Sequence, residues 1–168
     1  MLIDPFIAGR FIDTYMAFLG TLVSDEEKSG RPPSQWLVLG RVRYEADRAL
    51  LARYRATLTQ ADDEILDAIA ALKVGRWVYL KDTRSYSVLL AEDGSAAYGV
   101  LGLTDRLRDV ARGETGVVMK AGLFPLQGRW VCDGLLENLA WLGPNLRRDI
   151  TVIYQRLRSA GDFSLGAS

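Results

Sequence analysis

The period of the hydrophobic pattern changes after Gly75, and no other feature constrains the fold as much. Before that glycine, apolar residues recur at three- and four-residue steps; after it they come in short β-rich runs separated by turn residues. In DPFIAGRFIDTYMAFLGTLV, Asp4 is placed to cap a helix with Pro5 at its first position, and Phe11, Tyr15, Phe18, Leu19 and Leu22 share a face. SDEEKSGRPPS then predicts an exposed loop over 24–34, because a glycine and two prolines stop helix propagation.

A second helix is predicted from Trp36 to Thr57, with Leu39, Val42, Ala46, Ala49, Leu50 and Tyr54 in one stripe. Arg41, Arg48 and Arg55 fall on another face, with Glu45 spaced to pair with the first two. A third helix follows with Thr59 as its cap, acids in its first turn, Ile65, Leu66, Ile69 and Leu72 buried, and Lys73 and Gly75 at its end.

Beyond Gly75, RWVYL, SYSVLLA and AAYGVLGL read as three strands, Thr104 as the cap of a brief helix ending at Gly113, and GVVMKAGLF with GRWVCDGLL as a second hairpin about PLQ. Gly143 and Pro144 open a last helix whose apolar stripe is Leu146, Ile150, Ile153 and Leu157. Arg147, Thr151, Gln155 and Arg158 lie on its opposite face. The expected fold class is α+β: a helical region over 1–75, then a mostly antiparallel five-stranded sheet or small partly open barrel with a closing helix over 76–160. The two regions are expected to form one compact unit, and 161–168 a flexible tail.

Composition narrows the chemistry. Histidine is absent from the 168 residues, which removes Ser-His-Asp and Cys-His catalysis, His-bearing zinc sites and the two-His-one-carboxylate iron site. One cysteine permits neither an internal disulfide nor a multi-cysteine zinc site, and no cofactor or metal is expected. Basic and acidic groups balance at 21 each, so no net field draws the molecule to nucleic acid or anionic lipid. The basic run Arg41 to Arg55 and the acidic run Asp62 to Asp67 are suited to facing each other. The apolar stretches fall far short of the roughly 20 residues of a membrane span, and MLIDPF lacks the basic start of a signal peptide. A soluble cytoplasmic protein without a membrane partner is the expectation.

Candidate site residues cluster in GRWVCDGLLENL. Cys132 has no imidazole to make it a thiolate and reads as a buried strand residue. Asp133 and Gly134 read as a strand end, where the carboxylate ties down amides and the glycine permits a positive φ. The functional alternative groups Asp133 with Glu137 or Asp105 as an acid/base or magnesium cluster. Gly99 and Gly102 lack the remainder of a nucleotide loop and fit close backbone packing. Arginine outnumbers lysine seventeen to four, and Arg147 and Arg148 stand in the first turns of the last helix, where an anion is favoured. Trp36, Trp77, Trp130, Trp141, Tyr79, Tyr86 and Tyr98 are numerous for so small a sheet; alternation puts Trp77 and Tyr79 on one face.

AAYGVLGLTD, LFPLQGRWVCDGLL and LGPNLRRDI, in that order, resemble an uncharacterised bacterial protein family. Its pattern is a Tyr-Gly strand, a hairpin ending in Asp-Gly-Leu-Leu and a helix start with an arginine pair. The resemblance covers about a third of the chain and implies a domain but no activity. It marks Asp133, Gly134, Arg147 and Arg148, and a tyrosine is common in similar sequences where this chain has Cys132.

The expectation is a non-enzymatic binding or regulatory module that engages another protein, or a second copy of itself, through an aromatic-rich sheet face or edge, with Asp133, Gly134, Arg147, Arg148, Trp130 and Tyr98 as its binding residues. One alternative is a hydrolase or transferase built on carboxylates and arginines, which requires Asp133, Glu137, Arg147 and Arg148 around one cleft. Another is a small nucleic-acid-binding barrel.

Overall fold

A computed structural model describes residues 1–166. The fold is α+β, and the chain divides into two compact units, Phe6–Ala71 and Met1–Pro5 with Leu72 onward.

The first unit is helical. Helix α1 (Pro5–Thr21) buries Ile7, Phe11, Tyr15, Phe18 and Leu19 on one stripe, with the Phe11 and Tyr15 rings 5.0 Å apart. The predicted loop over 24–34 contains a helical turn, α2 (Asp25–Lys28). Its cause is a capping box: the Ser24 hydroxyl accepts from the Glu27 amide, and the Glu27 carboxylate accepts from the Ser24 amide. Helix α3 (Pro33–Ala46) crosses α1 at Gly40, where a Cβ would stand 2.8 Å from the Leu19 carbonyl oxygen. Only glycine fits that approach without displacing backbone. The same packing explains Arg41, which was expected on a polar face and is wholly buried beside Gly40.

The single helix expected over 36–57 is two. Asp47 breaks it in extended conformation (φ −137°, ψ 92°), and its carboxylate accepts from the Ala49 amide at 3.0 Å before α4 (Ala49–Arg55) begins. An aspartate competing for backbone donors supplies the interruption. Helix α5 (Asp63–Ala70) is capped by Asp62 rather than Thr59: the Asp62 carboxylate accepts from the Ile65 amide. Ile65, Leu66 and Ile69 are fully buried, and the Tyr44 hydroxyl donates to the Ile69 carbonyl at 3.1 Å.

In the second unit β1 (Lys73–Asp82), β2 (Ser87–Ala91) and β3 (Ala97–Leu101) form an antiparallel meander. The short helix α6 (Leu107–Val110) follows, with Arg106 and not Thr104 at its cap position. Strands β4 (Val117–Leu126) and β5 (Arg129–Cys132) make a hairpin whose turn residues Gln127 (φ 50°) and Gly128 (φ 70°) have the paired positive φ values of a two-residue turn. Pairing then runs β1–β2–β3–β5–β4 and back to β1, antiparallel except between β3 and β5, so five strands close a ring-like sheet.

Two strands were not expected. Strand β6 (Glu137–Trp141) pairs with β4, and β7 (Phe163–Ser164) pairs with β3 after helix α7 (Pro144–Ala160). The predicted tail over 161–168 therefore includes a short strand; its last two residues, 167 and 168, lie outside the described ones. Alternation along β1 directs Trp77 and Tyr79 to one apolar cluster, with Leu89, Val117, Met119 and Trp130, and Val78 and Leu80 to another under Ile150, Tyr154 and Leu157 of α7. Among the described residues no helix is long and apolar enough to cross a membrane.

Candidate functional site

Asp133 stands just past the end of β5 and is 4 % exposed. Its carboxylate oxygen Oδ1 accepts from the Gly122 amide at 3.0 Å and the Leu135 amide at 3.1 Å, while its own amide donates to the Gly122 carbonyl at 2.8 Å. A Cβ on Gly122 would fall 2.5 Å from Oδ2, so a glycine at 122 admits the carboxylate against β4. Gly134 follows at φ 75°. The Asp133 carboxylate oxygen thus serves backbone donors at the chain's departure from the hairpin, as the strand-end reading anticipates. Cys132 is 1 % exposed in the same apolar cluster as Trp77 and Trp130.

A cavity of about 40 Å³ lies beside these residues, lined by Cys132, Gly134, Asp105, Leu107 and Leu136 among others. It brings Asp105 to the same small space as Cys132, which sequence separation did not suggest. Among the described residues, no three acidic or cysteine side chains gather as metal ligands would.

The arginine pair does not join Asp133. Arg147 donates from Nε to the Leu142 carbonyl at 2.8 Å and stands 3.8 Å from the Glu114 carboxylate; Arg148 is exposed on α7. Glu137 opens β6 opposite Lys120. The cleft required by the carboxylate-and-arginine alternative is not assembled by these contacts.

The aromatic residues group closely but face inward. Tyr98 meets Trp77 and Trp130 edge to face, at centroid distances of 5.5 and 5.3 Å, and the Lys73 ammonium lies 4.9 Å over the Trp130 ring. The Trp77 indole donates to the Ala121 carbonyl and the Trp130 indole to the Ser164 hydroxyl, each at 2.9 Å. Trp77 and Trp130 are 6 % and 5 % exposed, so this face is core with only Tyr98 partly open. Burial, then the neighbouring Asp82 carboxylate, pushes the Tyr79 hydroxyl well above its ordinary value.

Exposed apolar surface lies elsewhere, on residues the sequence pattern did not single out together. Leu139 and Trp141 of β6 and Leu146 of α7 are 40 %, 41 % and 54 % exposed, and the Arg112 guanidinium rests over the Trp141 ring at 5.8 Å. Strand β6 is the terminal strand of the sheet, bonded to β4 and to no other strand among the described residues. Where Val118 gives way to Lys120 along β4, β6 carries one extra residue, and Asn138 there has φ 54°. That bulge confines the regular edge to the stretch after Asn138.

Basic side chains of the helical unit are largely satisfied within it. Arg10 forks onto Asp62 at 2.9 and 2.7 Å and reaches Glu64 at 2.9 Å; Arg43 forks onto Glu27; Arg53 meets Asp47; and Arg55 bridges Asp63 and Asp67. Hydrogen bonding to the Arg43 guanidinium, then to the Ser24 amide, holds the Glu27 carboxyl down to about 2, and the Arg10 fork lowers Asp62 in the same direction. The basic and acidic runs of the sequence do meet, through Arg55. No protein-family model, no curated protein and no solved structure matches this chain.

Proposed function

We propose that the protein is a non-enzymatic binding module that engages a partner protein along the open edge of β6, in line with the domain that the resemblance to the bacterial family implies. One observation carries this reading. The five ring strands are each bonded on both sides, whereas among the described residues β6 pairs only with β4, is exposed from Asn138 to Trp141, and carries two exposed large apolar side chains, Leu139 and Trp141. An edge of this kind accepts an added strand whose backbone supplies affinity and whose alternate side chains supply specificity. Arg112 over Trp141, with Arg147 and Arg148 at the start of α7, favours a segment that mixes apolar and acidic residues. The inward packing of Trp77 and Trp130 moves the proposed contact from the sheet face to the sheet edge.

The test is capture from nuclease-treated native lysate with the wild type and with a Leu139→Lys, Trp141→Lys variant, whose changed side chains are already solvent-facing. A protein recovered by the wild type and lost by the variant, at unchanged melting temperature, supports the reading. Equal recovery by both overturns it. So does turnover of a substrate by the purified wild type that is lost on Asp133→Asn.

A further inference from the structure

We infer that the cleft between α7 and the end of β1 is a binding site for a small phosphate-bearing ligand. This does not rest on the edge-strand reading. The cleft encloses about 310 Å³, at the lower end of the range typical of small-molecule sites. Lys81 enters it from β1, Thr115 from the turn before β4, and Thr151, Gln155 and Arg158 from successive turns of α7. Its lining holds two cations, the hydroxyls of Thr115, Thr151 and Tyr154, and an amide, and no carboxylate.

Three observations set these cations apart from ordinary surface charges. First, neither Lys81 nor Arg158 makes an ion pair among the described residues, although Arg10, Arg43, Arg53 and Arg55 of the helical unit do. Second, Lys81 is held in place: its ammonium lies 5.3 Å over the ring of Tyr154, which is itself 5 % exposed and fixed edge to face against Phe163. Third, the acids beside the lining residues are turned elsewhere: Asp82, next to Lys81, accepts from the Tyr79 and Ser87 hydroxyls, and Glu114, next to Thr115, stands 3.8 Å from Arg147. Two like charges converging on one space without a counter-charge repel each other, and a phosphate dianion offsets that repulsion. A guanidinium fork and an ammonium are the pair of donors phosphate recognition commonly employs. Thr115, Thr151 and Gln155 can each donate to further phosphate oxygens or to a hydroxyl carried by the ligand. The Thr151 hydroxyl currently donates to the Arg147 carbonyl and would turn to do so.

The experiment is an amide chemical-shift titration of the full chain, at constant ionic strength, with inorganic phosphate, with glycerol 3-phosphate and with chloride. Expected are saturable shifts at Thr115, Thr151 and Gln155 with both phosphates and none with chloride; tighter binding of glycerol 3-phosphate than of phosphate alone would assign the site to a phosphomonoester. Lys81→Gln and Arg158→Gln should each weaken binding about tenfold, the scale of one charge-assisted hydrogen bond, at unchanged melting temperature. Gln155→Glu, which places a carboxylate in the cleft without removing a cation, should abolish it. Equal shifts with chloride, shifts spread over the basic surface at large, or undiminished affinity in Gln155→Glu would overturn the proposal.

Discussion

The two compact units differ in how far their charges are met within them. In Phe6–Ala71, Arg10, Arg43, Arg53 and Arg55 are spent on carboxylates of the same unit, and they cap or clamp helix ends: Arg10 holds the Asp62 cap of α5, and Arg43 holds the Glu27 of a capping box. In the sheet unit Arg76 is paired with Glu92 and Arg147 with Glu114, but Lys81, Arg158 and Arg112 make no ion pair among the described residues and lie over rings or along a cleft. The difference teaches where to look for function. A charge met within its own unit explains architecture; a charge held in position with no counter-charge is left for a ligand or partner.

The sharpest way to break that division is at Asp133, an acidic side chain of the sheet unit whose oxygen holds backbone amides. Asp133→Ala leaves the Gly122 and Leu135 amides without their acceptor and should destabilise the protein by about 3 kcal/mol, read from urea unfolding. Asp133→Asn keeps one acceptor oxygen and should cost less. A ligand-binding or catalytic Asp133 would instead show intact stability with lost binding, and that result would erase the boundary between structural and functional polar groups in the sheet unit.

Asp133 is also where the sequence was most legible. A carboxylate followed by glycine at the end of a β-rich run has a local use, and the local use is what the fold realises. The helices of high amphipathicity were legible for a similar reason, since Ile65, Leu66 and Ile69 of α5 declare a buried face by spacing alone. The break at Asp47 and the shift of the α5 cap from Thr59 to Asp62 were not, because several polar residues competed for each role and tertiary partners such as Arg10 decided between them. Strand β6 was hidden because ENLAW is exposed along most of its length and shows no alternation; only hydrogen bonding to β4 makes it a strand. The cleft at Lys81 and Arg158 depends on α7 lying across β1, a juxtaposition no spacing encodes.

A smaller effect sharpens the comparison from the helical side. Arg10→Gln removes the fork on Asp62 and the bridge to Glu64, leaving the cap of α5 without its clamp. All three groups are part exposed, so the loss of melting temperature should be modest, well below that of Asp133→Ala, and should shrink in high salt as screening weakens the wild-type interaction. Hydrogen exchange should locate the loosening in the first turn of α5. Exchange that rose equally in the sheet would show that the charge acts beyond its own unit.

The smallest effect is a slope rather than a loss. The folded Glu27 carboxyl titrates at about 2, below its ordinary 4.5, because Arg43 and the Ser24 amide hold the charged form. A depressed folded value means that the unfolded chain binds the proton first as acid is added. The contribution of Glu27 to stability is therefore complete above about pH 4.5 and is lost as pH falls toward 2. Glu27→Gln removes this titration, so the melting temperatures of variant and wild type, separated near neutrality, should converge across that window as the wild type falls more steeply. Parallel curves would mean that Arg43 is held by the Leu22 carbonyl, to which it also donates, and that its ion pair with Glu27 adds nothing to the helical unit.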